Sequence, residues 1–219
     1  MQTKAPYRPS FKVQIDILNE FRMPVIISDV VRAANISPNY AREKITLLGS
    51  FGLVKILDGE EKRKAERNSV KDRKGFTMFS CTEKGERALK IYAEIEQFFR
   101  PQNPPPSFYS TLDTELVYKI LRKATDYANV SSLGKLGEGY PRTVGFLPTL
   151  ESCGMIKKLS KEELRLLRDV SQNSDAVYKT MPKGTEFVEK YQELKSLFVP
   201  EMQFSLGPLI RETKAKKNP

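Results

Sequence analysis

The sequence predicts a mainly α chain with small β-wings (α+β), organised as two tandem domains joined by a Pro-rich linker. Three observations predict it. Apolar residues recur three and four apart through Pro38–Ser50 and again from Glu83 to Phe99, which is helical spacing. The run Arg100-Pro-Gln-Asn-Pro-Pro-Pro-Ser107 favours a semi-rigid polyproline II spacer. Leu48–Lys55 (LGSFGLVK) returns 102 residues later as Leu150–Lys157 (LESCGMIK). Lys84-Gly85 through Tyr92 likewise returns 99 residues later as Lys183-Gly184 through Tyr191, and the two runs end on Phe99 and Phe198. Self-similarity at this period reads as two copies of one domain. The expected boundaries are 10–100 for the first copy, 101–110 for the linker, 111–199 for a divergent second copy and 200–219 for a tail.

Residues 1–9 form a short basic arm, and a helix starts at Phe11 with Val13, Ile15, Ile17, Leu18 and Phe21 as its stripe, ending near Met23-Pro24. Val25 and Ile27 suit a short strand. The stretch Ile27–Ile56 then holds two helical patterns. Ser28 is the expected N-cap of the first, with Val30, Val31 and Ala34 inward. Asn35-Ile36-Ser37-Pro38 makes the turn, and Ser37 caps a second helix with Pro38 in its first position. Ala41, Ile45 and Leu48 face inward there, leaving Asn39, Arg42, Glu43 and Thr46 outside. Gly52 ends the helix in a left-handed conformation and Leu53-Val54-Lys55-Ile56 continues as a strand. This is a helix-turn-helix running into a strand, and the outward residue types can read base edges.

After Leu57, residues 58–75 carry no apolar periodicity, and Lys62–Lys74 holds seven Lys/Arg against Glu66 and Asp72. Phe76–Phe79 reads as the returning strand, so the segment is expected to be a long basic β-wing that clamps phosphates. Thr82 caps a helix from Glu83 to Phe99, with Leu89, Tyr92, Ile95 and Phe99 inward and Ala88, Ile91 and Phe98 widening the stripe. So broad a face on a terminal helix predicts packing against the second domain or a homodimer through 83–99.

In the second copy the first helix is expected over Asp113–Tyr127, with Leu116, Val117, Ile120 and Leu121 inward. Ser131 or Ser132 should cap a short helix carrying Leu133 and Leu136, with Gly137–Pro141 as the turn. Arg142–Cys153 fills the recognition-helix position, but Gly145 and Pro148 fall inside it, and an interior proline costs roughly 3 kcal/mol. The expectation is a kink, or a shorter helix starting at Leu147-Pro148. The second wing, Lys158–Asp175, balances four cations against four carboxylates and contains a possible helical turn in KEELRLLRDV. A weaker nucleic-acid role follows for this copy, with Arg142 and Thr143 as its candidates. The tail from Pro200 is apolar at first and then basic.

A net charge of +10 favours a polyanionic partner. With no histidine, Ser-His or Cys-His catalysis and His-based metal sites are excluded. Cys81 and Cys153 are too few for a zinc ribbon and suit small buried hydrophobes in a reducing compartment. Gly134–Gly139 lacks the spacing of a phosphate loop, and the carboxylate pairs Glu60-Glu61 and Glu162-Glu163 are expected in charged loops, solvated and not catalytic. No enzyme, cofactor or metal is expected. No apolar run approaches membrane length, and MQTKAPYRPS has no leader-like core, so a cytoplasmic, nucleoid-associated protein is expected.

Leu48-x-x-x-Gly52-Leu53-Val54, a charged wing and then Thr82-Glu83-Lys84-Gly85 together resemble the winged helix-turn-helix transcriptional regulators common in archaea. The likeness covers about 11–99 well and 112–198 less well, where Met181-Pro182-Lys183-Gly184 departs from the pattern. The resemblance implies two winged-helix domains in tandem in a repressor or activator that binds double-stranded DNA, often as a dimer. Reading would fall to helix 38–51, with Asn39, Arg42, Glu43 and Thr46 on base edges. Ser28, Arg32, Ser37 and Lys44 would lie near phosphates, and Lys62, Arg63, Lys64, Arg67, Arg73 and Lys74 would clamp through wing 58–75. The alternative is a tandem winged-helix protein–protein scaffold in a transcription, replication or chromosome-organising complex, with only non-specific DNA affinity.

Overall fold

The structure, a computed structural model, describes residues 10–68, 75–99, 113–136, 140–167 and 176–201. It is mostly helical with a few small antiparallel strands. The arm 1–9, the linker 101–110, the turn residues Gly137–Gly139 and the tail beyond Glu201 lie outside the described residues. The chain divides into two compact units. Among the described residues, the first takes in Ser10–Lys90 and the segment from Leu194, and the second takes in Ile91–Glu193.

In the first unit, α1 (Ser10–Glu20), α2 (Ile27–Ala34) and α3 (Pro38–Ser50) enclose Ile17, Leu18, Phe21, Val30, Ala41, Ile45 and Leu48, all buried. Each large aliphatic chain so buried contributes roughly 1.5–3 kcal/mol. The turn into α3 forms as its residues dictate. Asn35 takes a left-handed φ of 50°, and the Tyr40 N–H donates to Ser37 Oγ at 3.3 Å. Ser28 is not the cap of α2; Ile26 holds that position without a side-chain hydrogen bond, and Ser28 stands exposed inside the first turn. The helix starts two residues earlier than a cap at Ser28 would place it, with Val30 and Ala34 on its buried face.

Gly52, at φ +69°, closes α3. Its N–H donates to the Gly49 carbonyl at 2.9 Å, and the Leu53 N–H donates to the Leu48 carbonyl at 3.0 Å. β1 (Val54–Ile56) follows and pairs antiparallel with β2 (Phe79–Cys81), Lys55 opposite Ser80. The returning strand lies three residues later than Phe76 suggests, although the Met78 carbonyl already accepts from Leu57 N–H at 2.9 Å. The segment between them is not a bare wing: Gly59–Asn68 forms helix α4. Glu60 and Glu61 sit in its first turn and Arg67 in its last, which complements the helix dipole, and Lys, Arg, Glu and Ala are strong helix formers. Apolar periodicity could not show it, since α4 buries nothing.

α5 (Glu83–Gln97) is capped by Thr82, whose Oγ1 accepts from the Gly85 N–H at 3.1 Å. Its first half belongs to the first unit. Its second half belongs to the second unit, where the Phe98 and Phe99 rings meet Phe187 edge-on at 5.7 and 5.8 Å and Glu94 receives Lys190 Nζ at 2.8 Å. That hydrogen bond raises the Lys190 pKa. Packing within the unit accounts for the width of the stripe, which removes the reason the sequence offered for a homodimer through 83–99.

The second unit also holds α6 (Thr114–Lys123), β3 (Ala128–Asn129), α7 (Val130–Gly134), α8 (Tyr140–Ser152), β4 (Ile156–Lys158), α9 (Lys161–Arg165), β5 (Val177–Thr180) and the start of α10 (Pro182–Ser196). The sheet order is β3-β5-β4. Asp113 caps α6, which ends at Lys123 instead of Tyr127 because Thr125 and Tyr127 lead into β3. Asn129, not Ser131 or Ser132, caps α7: its side chain accepts from Ser132 N–H at 2.8 Å. Leu136 falls beyond the end of α7.

α8 runs for 13 residues through Pro148, the same length as α3, so the shorter helix starting at Leu147 does not form. Pro148 and Gly145 both lie on its exposed side, while Leu147 and Leu150 hold it to the core. α8 then ends as α3 does. Gly154 N–H donates to Glu151 O and Met155 N–H to Leu150 O, each at 2.9 Å, with Gly154 at φ +71°.

Candidate nucleic-acid interface

The outer side of α3 is built by the same spacing that buries Ala41, Ile45 and Leu48. Asn39 and Glu43 are exposed, and Arg42 and Thr46 are half-buried. Arg42 Nη1 donates to Asn39 Oδ1 at 3.2 Å, and its Nε is buried without a hydrogen bond. These two side chains therefore form one polar pair on the first two turns. Ser37 is exposed but spends its hydroxyl on the cap, and no acidic residue occupies the first turn of α3. The positive end of the helix dipole is thus left uncompensated beside Asn39 and Arg42, an arrangement that favours an anion such as phosphate.

Lys44 corrects the sequence expectation. It lies three residues after Ala41 and four before Leu48, on the inward side of α3, and is only 8% exposed. Its ammonium reaches Glu43 Oε1 at 3.1 Å and stands 4.9 Å over the Tyr40 ring. A phosphate could not reach it without disturbing that packing, and Glu43 is correspondingly occupied. Arg32 is exposed in the last turn of α2.

α4 presents Arg63, Lys64 and Arg67 to solvent, with Lys62 half-buried; Arg73 and Lys74 lie outside the described residues. The Arg67 Nε donates to the Arg63 carbonyl at 3.4 Å. The helix is tethered to the sheet by Lys55, whose Nζ meets Glu61 Oε1 at 2.6 Å. Sequence reasoning missed this tether, although its signal was legible: Lys55 and Glu61 recur as Lys157 and Glu163, paired at 2.7 Å. The hydrogen bond from Lys157 holds the Glu163 carboxyl below its ordinary range.

In the second unit the corresponding helix does not offer the same groups. Thr143 is fully buried, so it is no contact residue. Arg142 Nη2 is committed to Asp113 Oδ2 at 2.9 Å, bracing the residue that caps α6. The remainder of the α8 exterior is Tyr140, Pro141, Gly145, Pro148, Glu151 and Ser152, with Tyr140 half exposed and Glu151 the one charge among them.

Among the described residues no cluster of acidic and cysteine side chains could hold a metal ion, and no helix is long and apolar enough to cross a membrane. Both cysteines are free; Cys153 is buried, while Cys81 is only half-buried, with its Sγ 3.7 Å from the Leu53 carbonyl oxygen. Burial, and then the charge of Glu86, push the Cys81 thiol up to about 12. Comparison with protein-family models, with curated proteins and with solved structures finds no match.

Proposed function

We propose that the chain is a double-stranded DNA-binding transcriptional regulator of the nucleoid, made of two tandem winged-helix domains of which only the first reads DNA. The observation that carries this reading is the exterior of α3. It combines the outward-facing Asn39–Arg42 pair with a helix N-terminus free of acidic residues, on a helix whose other side is fixed in the core. Arg and Asn are the residue types that engage guanine and adenine edges bidentately. The cations of α4, held by the Lys55–Glu61 pair, supply sequence-independent phosphate contacts.

The test is a pair of salt titrations on a selected duplex and on random duplex. Arg42→Ala should cost roughly 1–3 kcal/mol on the selected duplex and little on random DNA. Lys64→Ala with Arg67→Ala should weaken both alike and flatten the salt slope. Equal losses from Arg42→Ala on the two duplexes would remove its base-reading role.

A protein–protein scaffold is favoured by one observation, the nearly uncharged exterior of α8 with Arg142 and Thr143 withdrawn from it. On that reading neither helix discriminates between duplex sequences, and all DNA affinity disappears at high salt.

A further inference from the structure

Within the second unit, an open cleft of about 350 Å³ lies between the residues leading into β3, the end of β4, strand β5 and the α9 region. Leu159, Leu166, Leu167 and Tyr127 are its apolar lining, and Asp126, Glu163 and Lys179 its charged groups. The volume lies within the range of small-molecule sites, as does the combination of an apolar wall with a few charged groups.

The internal repeat separates scaffold from site. The positions equivalent to Leu159 and Glu163 in the first copy are Leu57 and Glu61, and the backbone partnering is the same: Leu57 N–H donates to Met78 O and Leu159 N–H to Val177 O, both at 2.9 Å. The remaining lining differs. Lys64 and Ala65 are replaced by Leu166 and Leu167, Ser80 by Lys179, and Met23-Pro24 by Asp126-Tyr127. Where the first copy shows solvent a lysine, the second shows a leucine that is 83% exposed, apolar area that water does not favour leaving bare.

The charges limit what covers it. Lys157 and Lys179 are direct cross-strand partners, a like-charge juxtaposition that is unfavourable unless neutralised. Glu163 neutralises Lys157 at 2.7 Å and also accepts the Ser160 N–H at 2.9 Å, so it is fully engaged. Lys179 and Asp126 are both exposed and form no ion pair among the described residues. One cation and one carboxylate thus remain beside an apolar wall. We propose that this cleft binds an α-amino acid with a large apolar side chain, its carboxylate on Lys179, its ammonium on Asp126 and its side chain against the leucines and Tyr127. The proposal does not depend on the DNA-binding reading.

The test is calorimetric titration of the full chain with L-phenylalanine and L-leucine, alongside 3-phenylpropionate, which lacks the ammonium, and phenethylamine, which lacks the carboxylate. The zwitterions should bind saturably, and each single-charge analogue should bind about tenfold or more weakly, the loss expected for one charge-assisted hydrogen bond. Lys179→Ser and Leu166→Lys install the first-copy residues at exposed positions. Both should abolish binding while the melting transition of the free protein stays in place. Absence of saturable binding by any of the four compounds overturns the site. Equal binding of an analogue overturns the ligand class, and unchanged binding in both variants overturns the location.

Discussion

Lys84 Nζ donates to the Phe51 carbonyl at 2.7 Å, and Lys183 Nζ donates to the Cys153 carbonyl at 2.8 Å. In each case a lysine satisfies the end of the helix that precedes the sheet, and the glycine that follows it allows the backbones to meet. A Cβ at Gly85 would strike the Leu53 carbonyl oxygen, and one at Gly184 the Met155 carbonyl oxygen. Cys81 N–H reaches Phe21 O, and Thr180 N–H reaches Ala124 O, both at 2.8 Å. The two copies therefore share a frame down to single hydrogen bonds, while their exteriors differ: α3 carries Asn39 and Arg42, α4 carries cations, α8 is nearly uncharged and α9 is followed by Leu166 and Leu167. Different surface groups on a common backbone frame are what separate functions on one fold would produce.

The comparison can be broken most decisively at the glycines. Gly85→Ala and Gly184→Ala should each destabilise the protein by about 2–4 kcal/mol in urea titration, since a backbone carbonyl cannot yield as a side chain can. A silent substitution in either copy would end the equivalence. Next, Pro148→Ala should raise stability by about 1–3 kcal/mol, because it restores a helix hydrogen bond at an exposed position of α8. No change there would mean that α8 has already relaxed around the proline.

A smaller effect distinguishes the two arginines. Arg42→Ala should leave the unfolding midpoint in place, whereas Arg142→Ala should lower stability by about 1 kcal/mol through loss of its part-buried pair with Asp113, and leave duplex affinity unaltered. The smallest effect is in alkali. The Cys81 thiol binds its proton more tightly folded than unfolded, so its contribution is intact below the ordinary thiol range of about 8.5 and is lost as pH rises towards 12. Cys81→Ala should flatten that part of the stability profile, leaving the decline due to Tyr191, whose pKa is also raised by burial.

Sequence reasoning reached what local chemistry determines. The Ser37-Pro38 start of α3, its buried face, the glycine stops and the K-G positions were legible because each rests on one or two residues with a strong backbone preference. α4 was missed because a helix that buries nothing leaves no apolar period, only propensity and end charges. The fate of Lys44 was hidden for another reason: its position is inward by spacing, but only Tyr40 and Glu43 together make burial of its stem tolerable. Thr143 was misjudged because a helix broken at Pro148 would have left it on a loose end, and α8 is continuous.

The most direct test of the central claim is selection of bound duplexes from a random pool by the full chain, repeated with Asn39→Ala and Arg42→Ala combined and with Arg142→Ala. A motif preferred over bulk DNA by about 10³-fold or more is expected, lost in the first variant and retained in the second. A salt-dependent pool without enrichment, or a motif that survives loss of Asn39 and Arg42, would contradict it.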